Sequence, residues 1–236
     1  MKKFLIALLF VPLAAFANST AHLDTWPGSV GDKAALQNGA KVFVNYCLNC
    51  HGASYFRYNK LMDLGLTEQQ VKDNLMFTAD KIGEQMRVAA RGDEQKKWFG
   101  ATPPDLTIIA RARASEVGSG ADWLYTYLRS FYRDENRPTG WNNVVFENVG
   151  MPHILYGLQG QQVLNHETHK LELAVPGELS PVAYDKTVSD LVGFLVWMAE
   201  PQQEFRQKLG VGVLAFLALL FVVAYALKKE YWKDIH

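Results

Sequence analysis

Leu209 to Leu227 reads LGVGVLAFLALLFVVAYAL, 19 residues without a charge or a proline. A helix of that length, rising about 1.5 Å per residue, matches the roughly 30 Å hydrocarbon core of a bilayer. Burying it on every side within the protein would need a far larger core than 236 residues supply. Arg206 and Lys208 precede the run; Lys228, Lys229 and Lys233 follow it, with Tyr231 and Trp232 at interfacial positions. A single transmembrane anchor is therefore expected at about 209–227. At the other end, Lys2 and Lys3 precede the ten apolar residues Phe4 to Leu13, and Ala15-Phe16-Ala17 fits a small-x-small cleavage site. Ten residues are too few to span, so 1–17 reads as a signal peptide. Leader and anchor together put residues 18–200 outside the cytoplasmic membrane. Residues 201–236 become linker, anchor and short cytoplasmic tail.

Charge excludes one class of partner. Lys plus Arg number 24 and Asp plus Glu number 24; losing Lys2 and Lys3 with the leader leaves 22 against 24. With that balance and no Lys/Arg run, nothing argues for nucleic-acid binding. No Ser/His/Asp set, carboxylate pair or phosphate-binding glycine loop stands out, and GLQGQQ (157–162) reads as an ordinary loop.

The pattern is mainly helical. Asp32 suits an N-cap, and Leu36, Ala40, Phe43, Val44 and Cys47 fall on one helix face. Residues 121–134 read as a second helix. Val188, Leu191, Val192, Leu195 and Met198 mark a third, with a capping box expected at Thr187-x-x-Asp190 and a stop at Pro201. Residues 163–175 suggest a small β-hairpin. The connections are long for a compact domain, which is reasonable if something other than polypeptide fills the centre.

The only cysteines lie in NYCLNCHGAS: Cys47, Cys50 and, directly behind, His51. Structural zinc wants four ligands, and the fourth would have to come from His153, His166 or His169, the last two too closely spaced for the usual pattern. A redox dithiol of the thioredoxin kind expects a βαβ setting, whereas this motif follows a helix. Haem fits. Two cysteines three positions apart lie on one helical turn, where both sulfurs can reach the vinyl groups along one porphyrin edge. The histidine behind them then sits under the ring. Cys-x-x-Cys-His is the signature of c-type haem attachment, and attachment happens outside the cytoplasmic membrane. The absence of a spare thiol suits that oxidising compartment.

An electron-carrying haem needs a sixth ligand. Met198 lies on an apolar helix face, and Met62, Met76 and Met86 lie in helix-like polar segments where methionine fills gaps. Met151 differs, since ENVGMPHILYG brackets it with Gly150 and Pro152. Glycine lets backbone approach a flat ring, and proline stiffens the loop that presents the sulfur. His153 is the rival and would give a bis-His site of lower potential.

Taken together, CLNCHGASYFRYNKL, TPPDLTIIARAR (102–113), DWLYTYLRSFY (122–132), NVGMPHILYGLQG (148–160) and the segment VGFLVWMAEPQQEFRQKLG leading into the anchor resemble the cytochrome c1 family. These are haem subunits of the bacterial cytochrome bc1 complex (ubiquinol–cytochrome c reductase). The resemblance covers essentially the whole mature chain. It implies a cytochrome c-like haem domain in the periplasm on a single-pass anchor in the inner membrane, with one haem c bound through two thioethers. It also implies His51 and Met151 as axial ligands, Pro103 and Pro104 along the haem edge, and Arg113 on a haem propionate, with Arg111 as the alternative. Trp123 stands where the family often has a haem-facing tyrosine. The implied partners are cytochrome b, the Rieske iron–sulfur subunit, a soluble or membrane-bound cytochrome c and membrane lipid, in a dimeric complex. The implied function is one-electron transfer from the Rieske centre to that cytochrome c. A membrane-anchored cytochrome of another respiratory chain and a haem-based sensor are the alternatives.

Overall fold

The structure is a computed structural model that describes residues 22–88 and 90–234. The expected signal peptide at 1–17 lies outside the described residues. Helix α1 (Lys33–Val42) starts where Asp32 Oδ1 accepts the Ala35 N–H at 3.1 Å. It widens into a π-helical turn at Phe43–Cys47. There follow β1 (Ala53–Arg57), a 3-10 segment (Tyr58–Leu64), α2 (Glu68–Asn74), β2 (Gln85–Met86), α3 (Gly92–Phe99), α4 (Ile109–Ala112) and α5 (Gly120–Arg129). The second half holds β3 (Phe131–Arg133), β4 (Trp141–Asn143), α6 (Tyr156–Gln159), β5 (Gly160–Asn165), β6 (Lys170–Pro176), α7 (Pro181–Ala199) and α8 (Gln203–Tyr231). Each strand pairs antiparallel with one partner only: β1 with β2, β3 with β4, β5 with β6.

The core is the crossing of α1 on α7. Gly39 permits it: a Cβ there would stand 2.0 Å from the Asp190 carbonyl oxygen. Glycine costs about 0.5–1 kcal/mol in a helix relative to alanine, and here that loss lets two backbones touch. Around the crossing Leu36, Phe43, Val188, Leu191 and Phe194 are fully buried, with the Phe43 and Phe194 rings 5.5 Å apart. A second close approach sets α5 on α4, where a Cβ on Gly120 would meet the Ala110 carbonyl at 1.8 Å.

The mainly helical architecture, the β5–β6 hairpin and the Asp32 cap match the sequence reading. Four expectations are corrected. GLQGQQ (157–162) is not a loop: Gly157–Gln159 complete α6, and Gly160, at φ 97°, turns the chain into β5, which pairs with β6. The helix read over 121–134 ends at Arg129, because Asn143 Nδ2 donates to the Tyr127 carbonyl and the next residues pair as β3. Thr187 and Asp190 form no capping box. Ser180 caps α7 with Pro181 in its first turn, and Thr187 Oγ1 donates to the Ala183 carbonyl inside the helix. Met86 sits in β2, fully buried, rather than in a helical segment. Beyond Pro201, α8 is 29 residues long with no buried residue, and it is the one described helix long and apolar enough to cross a membrane.

Candidate functional site

The π turn delivers the cysteine motif. Cys47 ends it, and the Cys50 and His51 N–H groups both donate to the Cys47 carbonyl, at 3.0 and 2.8 Å. Such turns are often found at functional sites. Cys47 is buried and Cys50 half-buried, and no disulfide joins them. Burial, and after it the neighbouring Cys50, push the Cys47 thiol up to about 12. A redox dithiol needs the opposite, a depressed thiol pKa.

The Pro103–Thr107 segment clamps the other side of the motif. His51 Nδ1 lies 2.7 Å from the Pro104 carbonyl, which can only accept, so Nδ1 carries the proton. The Nε2 lone pair is then left for a metal, an arrangement typical of ligating histidines. Burial lowers the His51 pKa, while the Pro104 carbonyl and the Asp105 carboxylate act against that. Leu106 N–H donates to the Gly52 carbonyl at 2.8 Å, and Asp105 accepts from Ser54 N–H (2.7 Å), Thr107 N–H (2.9 Å) and Thr107 Oγ1 (2.6 Å). Partial burial opposes the Asp105 charge, but these bonds prevail and its pKa is lowered. Pro103 and Cys50 line a common cavity of about 270 Å3. A larger one, about 460 Å3, lies between α1 and the foot of α8, away from the cysteines.

A second cluster forms on α5. Trp123 and Tyr127, four apart, stack with centroids 4.8 Å apart at 14°. The Arg113 guanidinium lies 4.4 Å from the Trp123 centroid and 5.6 Å from that of Phe146. Tyr127 Oη donates to Met151 Sδ at 3.4 Å. Burial raises the Tyr127 pKa, so the phenol stays a donor. The Met151 loop is held from its start. Asn148, in the left-handed region at φ 60°, donates its N–H to Asn142 Oδ1 (2.8 Å) and receives Arg137 Nη1 (3.0 Å) on its side chain. The rival His153 is 2% exposed, stacked on Phe131 at 4.9 Å and 4° and edge-on to Trp141 at 5.0 Å. Burial pushes it down to about 4, and its Nε2 has no hydrogen-bond partner among the described residues. Arg111 is exposed, whereas Arg113 is half-buried in the aromatic cluster.

The structure thus brings the eight expected site residues into two groups: Cys47, Cys50, His51, Pro103 and Pro104, and then Arg113, Trp123 and Met151. The segment from Pro104 through α4 to Arg113 joins them. The donor set suits a haem: two thiols on one turn, an imidazole with its outer nitrogen satisfied, and a thioether. Tyr127, Gln95 and the Asn142–Asn148 anchor escaped the sequence reading. Only Tyr127 left a signal, its helical spacing from Trp123.

The model of the cytochrome C1 family matches residues 25–235. The chain belongs to the cytochrome c1 family. It is 44% identical to cytochrome c1 of Allochromatium vinosum, with both chains covered in full. It is 46% identical to a Nitrosomonas europaea protein named ammonia monooxygenase gamma subunit, covering 100% of this chain and 99% of that one. It is 29% identical to the protein named cytochrome b/c1 of Bradyrhizobium diazoefficiens, covering 87% of this chain and 34% of the other. As a member of that family, the chain is the haem-bearing electron-transfer subunit of the bc1 complex, alongside cytochrome b. The complex is an oxidoreductase and haem c is the family's cofactor. The C-terminal helix fits a membrane anchor.

Proposed function

We propose that one haem c would be held by this chain, with Cys47 and Cys50 forming thioethers to it and His51 and Met151 supplying the ligands to its iron. The chain would accept electrons from the Rieske subunit and pass them to a cytochrome c on the periplasmic face. The observation that carries the reading is the His51–Pro104 hydrogen bond, which leaves one imidazole nitrogen free on the residue behind the two thiols. Bound there, the haem supplies one-electron redox chemistry. The residues do the rest. Cys47 and Cys50 anchor, and Pro104 fixes the imidazole tautomer. Tyr127 orients the Met151 sulfur. The buried aromatic cluster keeps water from that side. Pro103 and Pro104 line the edge, and Arg113, rather than the exposed Arg111, is the residue for a propionate. Trp123 holds Arg113 by cation–π contact and backs Tyr127.

The mature domain would occupy the periplasm after removal of 1–17, with lipid around α8 and the complex dimeric. The fused name of the Bradyrhizobium diazoefficiens relative supports cytochrome b as neighbour. The Nitrosomonas europaea relative's name supplies a second reading, a haem subunit of a monooxygenase assembly. Gentle solubilisation separates the two. Copurification of a b-type cytochrome and an iron–sulfur protein is expected, and a preparation lacking both contradicts the bc1 assignment.

A further inference from the structure

Cys50 is the more exposed of the two cysteines, and the cavity of about 270 Å3 opens beside it. Helix α3 forms the rim. Its buried Gln95 donates from Nε2 to the Cys50 carbonyl at 2.8 Å, and Thr102 Oγ1 donates to the Gly92 carbonyl at 3.0 Å, tying the helix to the segment that leads to Pro103. Gln95 thus sets α3 against Cys50, and the exposed residues that follow it on the helix lie next to the attachment site.

Those residues are basic and aromatic. Lys96 and Lys97 are exposed, followed by Trp98 at 63% and Phe99 at 45% exposure, their rings edge to face at 6.3 Å. Arg87, also exposed, lines the cavity itself. Between Arg87 and Phe99 the cations are Arg87, Arg91, Lys96 and Lys97, and the anions are Asp93 and Glu94. Both carboxylates are answered by Arg91, at 3.5 and 3.0 Å. Arg87, Lys96 and Lys97 make no ion pair among the described residues. Asp105, the one carboxylate in the cavity wall, turns its oxygens to Ser54 and Thr107. A local positive excess on a chain that is otherwise balanced, followed by two exposed aromatic rings, has the anatomy of a small transient interface.

We propose that Arg87 and the Lys96–Phe99 stretch of α3 form the docking surface for the electron acceptor. The acceptor this face fits is a soluble electron-transfer protein with an acidic rim around its own redox centre. The inference rests on the reading that a haem at Cys47 and Cys50 passes electrons outward. Opposite charge then gathers the acceptor at the exposed edge and orients it, and the aromatic pair provides the short-lived apolar contact.

The test uses the solubilised complex with quinol as reductant and two acceptors: a basic cytochrome c, and the same cytochrome with its lysines succinylated to make it acidic. The succinylated form is expected to be reduced faster at low salt. Its rate should fall roughly tenfold as ionic strength rises to physiological values. Arg87→Glu/Lys96→Glu/Lys97→Glu should invert the preference, and the milder Lys96→Gln/Lys97→Gln should weaken it. Preference for the basic form by the unaltered complex overturns the proposal, as does a preference that the charge reversal leaves in place. If the reversal slows quinol-driven haem reduction, measured before any acceptor is added, the face belongs to the electron donor and the proposal falls. If quinol fails to reduce the haem of the unaltered complex, the underlying electron-transfer reading fails with it.

Discussion

The two sides of the site are built in different ways. On the histidine side the ligating residues themselves sit on one backbone turn. One π turn and its continuation present Cys47, Cys50 and His51, and the Pro104 carbonyl, in the segment that the Leu106 N–H ties to the Gly52 carbonyl, meets the outer imidazole nitrogen. On the methionine side the backbone is a loop, and side chains hold it. Asn142 and Arg137 grip Asn148, and Tyr127, on α5, reaches the Met151 sulfur. A turn made of consecutive residues is rigid by construction. A loop anchored by distant amides is rigid only while each anchor holds. The methionine side is therefore the side where substitution should tune the site, and the histidine side the one where it should abolish it.

The sharpest break is His51→Ala. With no imidazole behind the thiols, membranes should hold little low-spin haem, read by haem stain and optical spectrum; a normal low-spin spectrum would show that another residue fills the role. Asn142→Ala comes next. It removes the acceptor of the Asn148 N–H and a donor to Asp134, and should cost about 1–3 kcal/mol in unfolding while leaving covalent haem content intact. Equal losses of haem and stability would erase the contrast between the sides. Tyr127→Phe deletes one hydrogen bond to sulfur. A donor there draws electron density from the thioether, so its loss should lower the reduction potential by roughly 20–60 mV, the equivalent of about 0.5–1.5 kcal/mol in a one-electron couple. An unchanged or higher potential would contradict that role.

The smallest effect concerns pH. The folded Asp105 pKa lies below its ordinary value of 3.8, so the charged form is favoured by folding. Its contribution is present above pH 3.8 and lost as pH falls through the lowered folded value. Asp105→Asn should thus be less stable than the unaltered chain at neutral pH, and the gap should narrow below about pH 4. A gap that stays constant on acidification would show that the carboxylate charge is not what clamps the segment.

Legibility in the sequence divides along the same line. The cysteine motif, the Asp32 cap, the α1 and α7 faces and the anchor are periodic or contiguous, so spacing alone reveals them. The Met151 loop announced itself through Gly150 and Pro152, yet its anchors did not. Asn142, Arg137 and Asn148 are ordinary polar residues until β3 and β4 pair and bring them together. The same pairing shortened α5, since Asn143 captures a carbonyl that a continuing helix would have used. His153 looked like a ligand by residue type; the Phe131 and Trp141 rings that enclose it come from a hairpin the sequence pattern does not show. Gly39 and Gly120 read as weak helix residues until the backbones they admit are seen.

The central claim, that the sulfur of Met151 joins His51 in holding the haem iron, is tested most directly by the optical spectrum and potential of the Met151→Leu complex beside the unaltered one. The account predicts covalent haem in equal amount, loss of the weak near-infrared band of thioether-ligated ferric haem, and a potential lower by a few tenths of a volt, within the roughly 0.8 V range that axial ligands command. An unchanged band and potential would contradict it.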